Sequence, residues 1–109
     1  MKRKLSGEAF TSEEANIVVL NGTAVSGIAA KEKEYLEGKG YIVSTTANAP
    51  KDESAFDGVK VYQVSAKKPK TAEALTKLYG VDINVNIPES LSAYNNADFI
   101  VIVGNGFSH

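Results

Sequence analysis

The sequence predicts an α/β domain: a two-layer sandwich of one mixed sheet and two helices, in the order β-α-β-β-α-β-β. Three observations carry this. Two uninterrupted apolar runs, Ile17–Leu20 and Phe99–Val103, have the make-up of strands covered on both faces. Two segments, 25–39 and 69–79, set apolar residues at helical spacing and end at glycine. Val81 to Ile87 alternates apolar and polar without a break, as a strand with one wet face does.

Taken in order, residues 1–15 are polar and aperiodic, with Leu5 and Phe10 as their bulky apolar groups, and read as a flexible tail or linker. A single domain is expected over 16–109. Its first strand, Ile17–Leu20, breaks at Asn21-Gly22-Thr23. A helix follows with apolar residues at 25, 28, 29, 35 and 36, its other positions carrying Lys31, Lys33, Glu34 and Glu37. Gly38 and Gly40 end it, and Tyr41-Ile42-Val43 opens a second strand, completing a βαβ unit whose default crossover is right-handed.

The polar segment Asn48 to Gly58 leads to a third strand, Val59–Val64. Pro69 suits the first turn of the second helix, whose apolar stripe is Ala72, Leu75, Leu78 and Tyr79. Gly80 stops that helix, and the alternating strand 81–87 runs to Pro88. A loop through Tyr94 and Asn96 precedes the last strand, and Gly104-Asn105-Gly106 closes the domain. No linker or repeat divides this order.

Composition narrows the function classes. The chain has 109 residues, 43% of them hydrophobic, and a net charge of -1. A domain of this size buries roughly 60–70% of its unfolded surface, enough for one core. A near-neutral charge provides no general basic field for nucleic acid. The cations are eleven lysines and one arginine, Arg3, in the tail, so a folded part without arginine lacks bidentate anion clamps. Cysteine is absent, which removes thiolate metal sites, disulfides and cysteine nucleophiles. The single histidine, His109, is terminal and reads as tail. No apolar run is long enough to span a membrane, and Leu5-Ser6-Gly7-Glu8 stands where a signal peptide would carry its apolar stretch.

Three places have the residue types for chemistry or binding. Gly22 and Gly27 have the separation of a phosphate loop, but Ile28 and Ala29 replace the lysine and hydroxyl that hold phosphate and Mg²⁺. The loop therefore reads as a turn, with Asn21 and Thr23 as helix caps. Lys67-Lys68-Pro69-Lys70 sets cations at a helix amino terminus, against the macrodipole; it is either an anion-recruiting end or a solvated basic turn. If the first, third and last strands run parallel, their carboxyl ends gather Asn21, Gly22 and Thr23 with Ser65, Lys67 and Lys68, and with Gly104 and Asn105. Such groups hydrogen-bond sugars, peptides or phosphates, but none is a general base or activated nucleophile. Asp52, Glu53 and Asp57 share one loop without calcium-loop spacing and read as solvated charges. Tyr62 and Tyr94 are the tyrosines left over as candidate ligand contacts. No catalytic residue, metal site or cofactor is predicted.

The segments Leu20-Asn21-Gly22-Thr23, Val25 to Ala30, Lys39-Gly40-Tyr41, Val61-Tyr62, Ala72 to Leu78 and Val101 to Gly104 resemble, in that order, the LytR C-terminal domain family. The likeness spans roughly Asn16 to Gly104. One departure is the Y-R-P-G common before the family's second helix, where this chain has Tyr62 followed by Gln63 to Pro69. The resemblance implies a domain appended to LytR–CpsA–Psr proteins, membrane-anchored enzymes that transfer glycopolymers onto peptidoglycan outside the cell. It implies a non-catalytic, extracytoplasmic binding or accessory domain, carried by a longer membrane-anchored parent, that contacts cell-wall polymer or another envelope protein. Two alternatives stay open: a cytoplasmic nucleotide- or phosphometabolite-binding enzyme using the first loop, and a protein–protein interaction domain that adds the strand 81–87 to a neighbour's sheet edge.

Overall fold

The computed structural model describes residues 13–107. The tail assignment for residues 1–12, Arg3 included, and the reading of His109 lie outside the described residues. Glu13 to Ala15, placed by the sequence in the tail, pack with the domain: Ala15 is buried in the core.

Five strands and two helices follow in the predicted order. They are β1 (Asn16–Asn21), α1 (Ile28–Gly38), β2 (Ile42–Asn48), β3 (Val59–Gln63), α2 (Pro69–Tyr79), β4 (Ile83–Asn84) and β5 (Phe99–Val103). The sheet order is β2-β1-β5-β3-β4. β1 is parallel to β2 and to β5, whereas β3 is antiparallel to β5 and parallel to β4. β1 and β5 are the inner strands of the parallel half, which is why their sequences are unbroken apolar runs; every residue of β5 is buried.

Side-chain alternation splits the core between the two faces of the sheet. On one face Ile17, Val19, Val61, Phe99 and Val101 meet Ala29 and Leu36 of α1 and Leu75 and Tyr79 of α2. On the other, Val18, Leu20, Tyr62, Ile100 and Ile102 are covered by Leu91, Ala97 and the short 3₁₀ helix Glu89–Tyr94. The second face thus has irregular chain for its cover.

Two predicted elements come out shorter. α1 begins at Ile28, and Val25, assigned by spacing to its apolar stripe, is 61% exposed in the preceding loop. The inward position completing the stripe with Ala29 and Leu36 is Glu32, a buried carboxylate that accepts the Tyr79 hydroxyl from α2. The alternating stretch 81–87 yields only Ile83–Asn84 as strand. Val81 and Ile83 pack on the helix-covered face and Ile87 on the other, while Val85 stays exposed. The alternation is real, but it serves two cores, because the chain rounds the sheet edge between them.

The connection from β2 to β3 closes one end of the sheet. Its backbone is bound there by Ala49 N–H to Asn21 O, Ala55 N–H to Gly22 O, Gly104 N–H to Gly58 O and Asn105 N–H to Phe56 O, at 2.7–3.0 Å. The Phe56 ring lies over Gly22 and Gly104. A Cβ at Gly104 would come within 2.6 Å of the Phe56 carbonyl oxygen and 2.7 Å of that of Gly58. Glycine is required here by approach of two backbones, neither of which can move aside without breaking the end of the sheet. Gly104→Ala should therefore destabilise by about 2–3 kcal/mol, lowering Tm by roughly 10 °C in a domain near this size. Gly38→Ala, where a Cβ would meet nothing within 4 Å, should leave Tm equal or slightly higher in the same melts.

Candidate functional site

Because β3 runs antiparallel to β5, with Val59 opposite Val103 and Gln63 opposite Phe99, the residues expected to converge lie at opposite ends of the sheet. Asn21, Gly22, Thr23 and Asn105 stand at the carboxyl ends of β1 and β5. Ser65, Lys67 and Lys68 follow β3 and stand beside the start of β5, where Ser65 N–H donates to Asp98 O at 3.2 Å. The single constellation inferred from a parallel third strand is thus two separate edges.

At the first edge the hydrogen-bonding groups are consumed by the loop itself. Asn21 is buried; its Oδ1 accepts Thr23 N–H at 2.8 Å and the Thr23 hydroxyl at 2.7 Å, and its Nδ2 donates to Val25 O at 2.7 Å. Val25 N–H donates to Thr23 Oγ1 at 3.1 Å, and Gly22 N–H to Val103 O at 2.8 Å. A phosphate cradle needs open backbone N–H groups; those of Gly22, Thr23 and Val25 are taken. Contrary to the expectation from sequence, Asn21 and Thr23 do not cap α1. The residue before that helix is Gly27, in a left-handed conformation at φ 86° that only glycine adopts without strain. Asn105 is exposed, its backbone bridged to Asp57.

The second edge does hold an anion, from within the chain. α2 begins without a capping side chain of its own: Lys68 is at the cap position and Pro69 and Lys70 follow. The Glu13 carboxylate fills the vacancy. It accepts the N–H groups of Lys70 at 3.0 Å and Thr71 at 2.7 Å and the Thr71 hydroxyl at 2.6 Å, while the Lys68 ammonium donates to the Glu13 carbonyl. Thr71 is 1% exposed, so this contact satisfies a buried hydroxyl as well as the helix end. Lys67 and Lys70 remain exposed on either side.

A third group of polar residues lies in the connection to β3. Glu53 is buried, accepts the Tyr62 hydroxyl and sits 3.6 Å from Lys60 Nζ, which in turn lies 4.5 Å from the centre of the Phe56 ring. Burial, then the hydrogen bond to Glu53 and its charge, push the Tyr62 phenol above its usual range and keep it a neutral donor. Tyr62 is accordingly an inward structural residue, not a ligand contact, and Glu53 is not the solvated loop charge its neighbours suggested. Tyr94 is half-buried against the same face. Asp52, in a short 3₁₀ helix at Lys51–Glu53, accepts the Ser90 hydroxyl at 2.8 Å and ties that turn to the 3₁₀ helix Glu89–Tyr94. Among the described residues no group of three carboxylate or imidazole side chains is placed to hold a metal ion, and no helix is long and apolar enough to cross a membrane.

Residues 14–107 match the family profile described as LytR cell envelope-related transcriptional attenuator. The chain belongs to this family. Its fold path is also similar to the solution structure of the C-terminal domain of RV0431, with 19% identity, a TM-score of 0.48, and coverage of 84% of this chain and 72% of that one. No curated protein matches the sequence. Family membership makes this a domain associated with the cell envelope, as the resemblance implied.

Glu13, unrecognised as a structural residue from sequence, has a titration that can be tested. Burial pushes its carboxyl up, but the Thr71 hydroxyl, the Lys70 and Thr71 N–H groups and the Lys68 charge outweigh that and hold it below its ordinary value of 4.5. A carboxyl depressed on folding stabilises the native state above its unfolded value, and that stabilisation is lost as pH falls through the folded value. Glu13→Gln should thus lower Tm near neutral pH, and the gap to the unaltered chain should close progressively as pH is taken below 4.5. Melting curves of both chains against pH provide the check.

Proposed function

We propose that this domain is a non-catalytic, extracytoplasmic module of a longer membrane-anchored envelope protein, and that it contacts anionic cell-wall polymer along the edge bearing Ser65, Lys67, Lys68 and Lys70. The observation that carries this reading is the grouping of three lysines around the start of α2, two of them exposed. Family membership supports the envelope setting.

A non-catalytic role is supported by how the reactive groups are used. The Asn21 and Thr23 side chains bind their own loop, Glu53 is buried with Tyr62 and Lys60, and Glu32 is buried with Tyr79. A general base or nucleophile needs access to a substrate atom; Asn21, Glu32 and Glu53 are buried, and the Thr23 hydroxyl is bonded within its own loop. The same facts weigh against the nucleotide-binding alternative. Asn21, Gly22, Thr23 and Asn105 stand at the opposite end of the sheet from the lysines, so the proposed surface keeps Ser65, Lys67 and Lys68 and leaves the other four out of it.

Exposed lysines bind a polyanion through charge that salt screens over roughly 8–10 Å at moderate ionic strength. Amide NMR titration of the chain with anionic wall polymer should move the signals of Ser65 to Lys70. The affinity should fall severalfold between low and high salt, and again in Lys67→Gln/Lys70→Gln. Shifts confined to Asn21–Thr23 and Asn105 on adding ATP with Mg²⁺, or binding of polymer unchanged by salt, would overturn the assignment.

A further inference from the structure

The two margins of the sheet are built differently. β4 is two residues long, follows Asp82, and turns away toward Pro88. A short strand beside a charge is a common way to blunt an edge against pairing. β2, at the other margin, is seven residues long, Ile42-Val43-Ser44-Thr45-Thr46-Ala47-Asn48, and contains no charge and no proline. Ile42, Ser44, Thr45, Thr46 and Asn48 are exposed, and four of the seven residues are β-branched, the type that favours extended pairing. Its one blunting feature is the register shift that leaves Ser44 unpaired between Val43 opposite Ile17 and Thr45 opposite Val18. From Thr45 to Asn48 the ladder to β1 is regular, and among the described residues no other strand pairs with the outer side of that stretch.

We infer that β2 is an interaction edge whose occupant is β2 of a second copy of this chain, paired antiparallel about a two-fold axis to make one continuous sheet. The argument for a second copy is charge. A two-fold axis sets a strand against itself, so any lysine or glutamate near the centre would face its own symmetry mate across a distance of about 5 Å. The chain is 23% charged, yet none of those residues falls in β2. Pairing centred on Thr46 sets the two Thr46 side chains together and Thr45 against Ala47, with like faces aligned because the residues match in parity. Threonine pairs of this kind are favourable neighbours across strands. An edge-to-edge contact of this length buries less than the 1,200 Å² or more typical of stable complexes, so the dimer is weak and forms at high local concentration.

Sedimentation equilibrium of the full chain from micromolar to millimolar concentration tests this directly. The weight-average mass should rise toward twice the monomer, and amide exchange in Thr45–Asn48 should slow over the same range. Thr45→Lys should hold the mass at that of a monomer at every concentration, while Thr45→Val, which keeps strand propensity without charge, should still associate. Melting curves of both variants show that they are folded, as expected for an exposed position. A chain that stays monomeric throughout, or association that Thr45→Lys leaves untouched, overturns the inference; in the second case another surface is responsible.

Discussion

The direction of β3 beside β5 is the constraint on which the rest of the molecule depends. Once β3 runs antiparallel, it begins at the edge where β2 ends, and the connection between them can stay on that edge. There it lays Phe56 over Gly22 and Gly104, buries Glu53 under Tyr62, and closes the mouth that an open parallel sheet would present at its strand ends. A parallel β3 would leave the same edge free for a ligand, the arrangement in which nucleotide-binding α/β proteins place their sites. This fold sets the end of β1, Asn21 and Gly22, under a cover made of its own chain.

The same choice of direction sends the other end of β3 to meet the amino-terminal strand. Ser65 and the lysines that follow come to rest beside Asp98 and the approach to β1, which brings Glu13 within reach of α2. A helix that starts with Lys68, Pro69 and Lys70 has four unsatisfied N–H positions less the one proline removes, and cations in the unfavourable place. One carboxylate from elsewhere in the sequence answers both defects. The basic turn and the acid tail residue look unrelated along the chain and are complementary only in space.

Much of the architecture was legible. The apolar runs at 17–20 and 99–103 identify the two inner strands, and the spacing of Leu75, Leu78 and Tyr79 identifies α2. What misled was the assumption that β3 joins the parallel set. Parallel strands need a crossover of a dozen or more residues, usually a helix, and the segment between Asn48 and Val59 has neither the length nor the periodicity. That was a usable signal for antiparallel pairing. Other details were not readable: the alternation of 81–87 is the same whether its apolar residues face one core or two, and nothing near Glu32 in the sequence announces that a carboxylate will occupy an inward helical position opposite Tyr79. The basic run Lys67 to Lys70 left open whether that helix end takes an anion, and nothing in it says which acidic residue would supply one.

Glu13 also decides how the domain takes a load. It lies just before β1, and its carboxylate and carbonyl are fastened to the start of α2. Tension arriving along the preceding chain reaches that helix end before it reaches the β1 ladder. The latch is a small set of exposed or half-exposed polar bonds, far easier to open than a central strand held on both sides. It would act as a mechanical fuse, releasing a few residues of slack while the sheet stays whole.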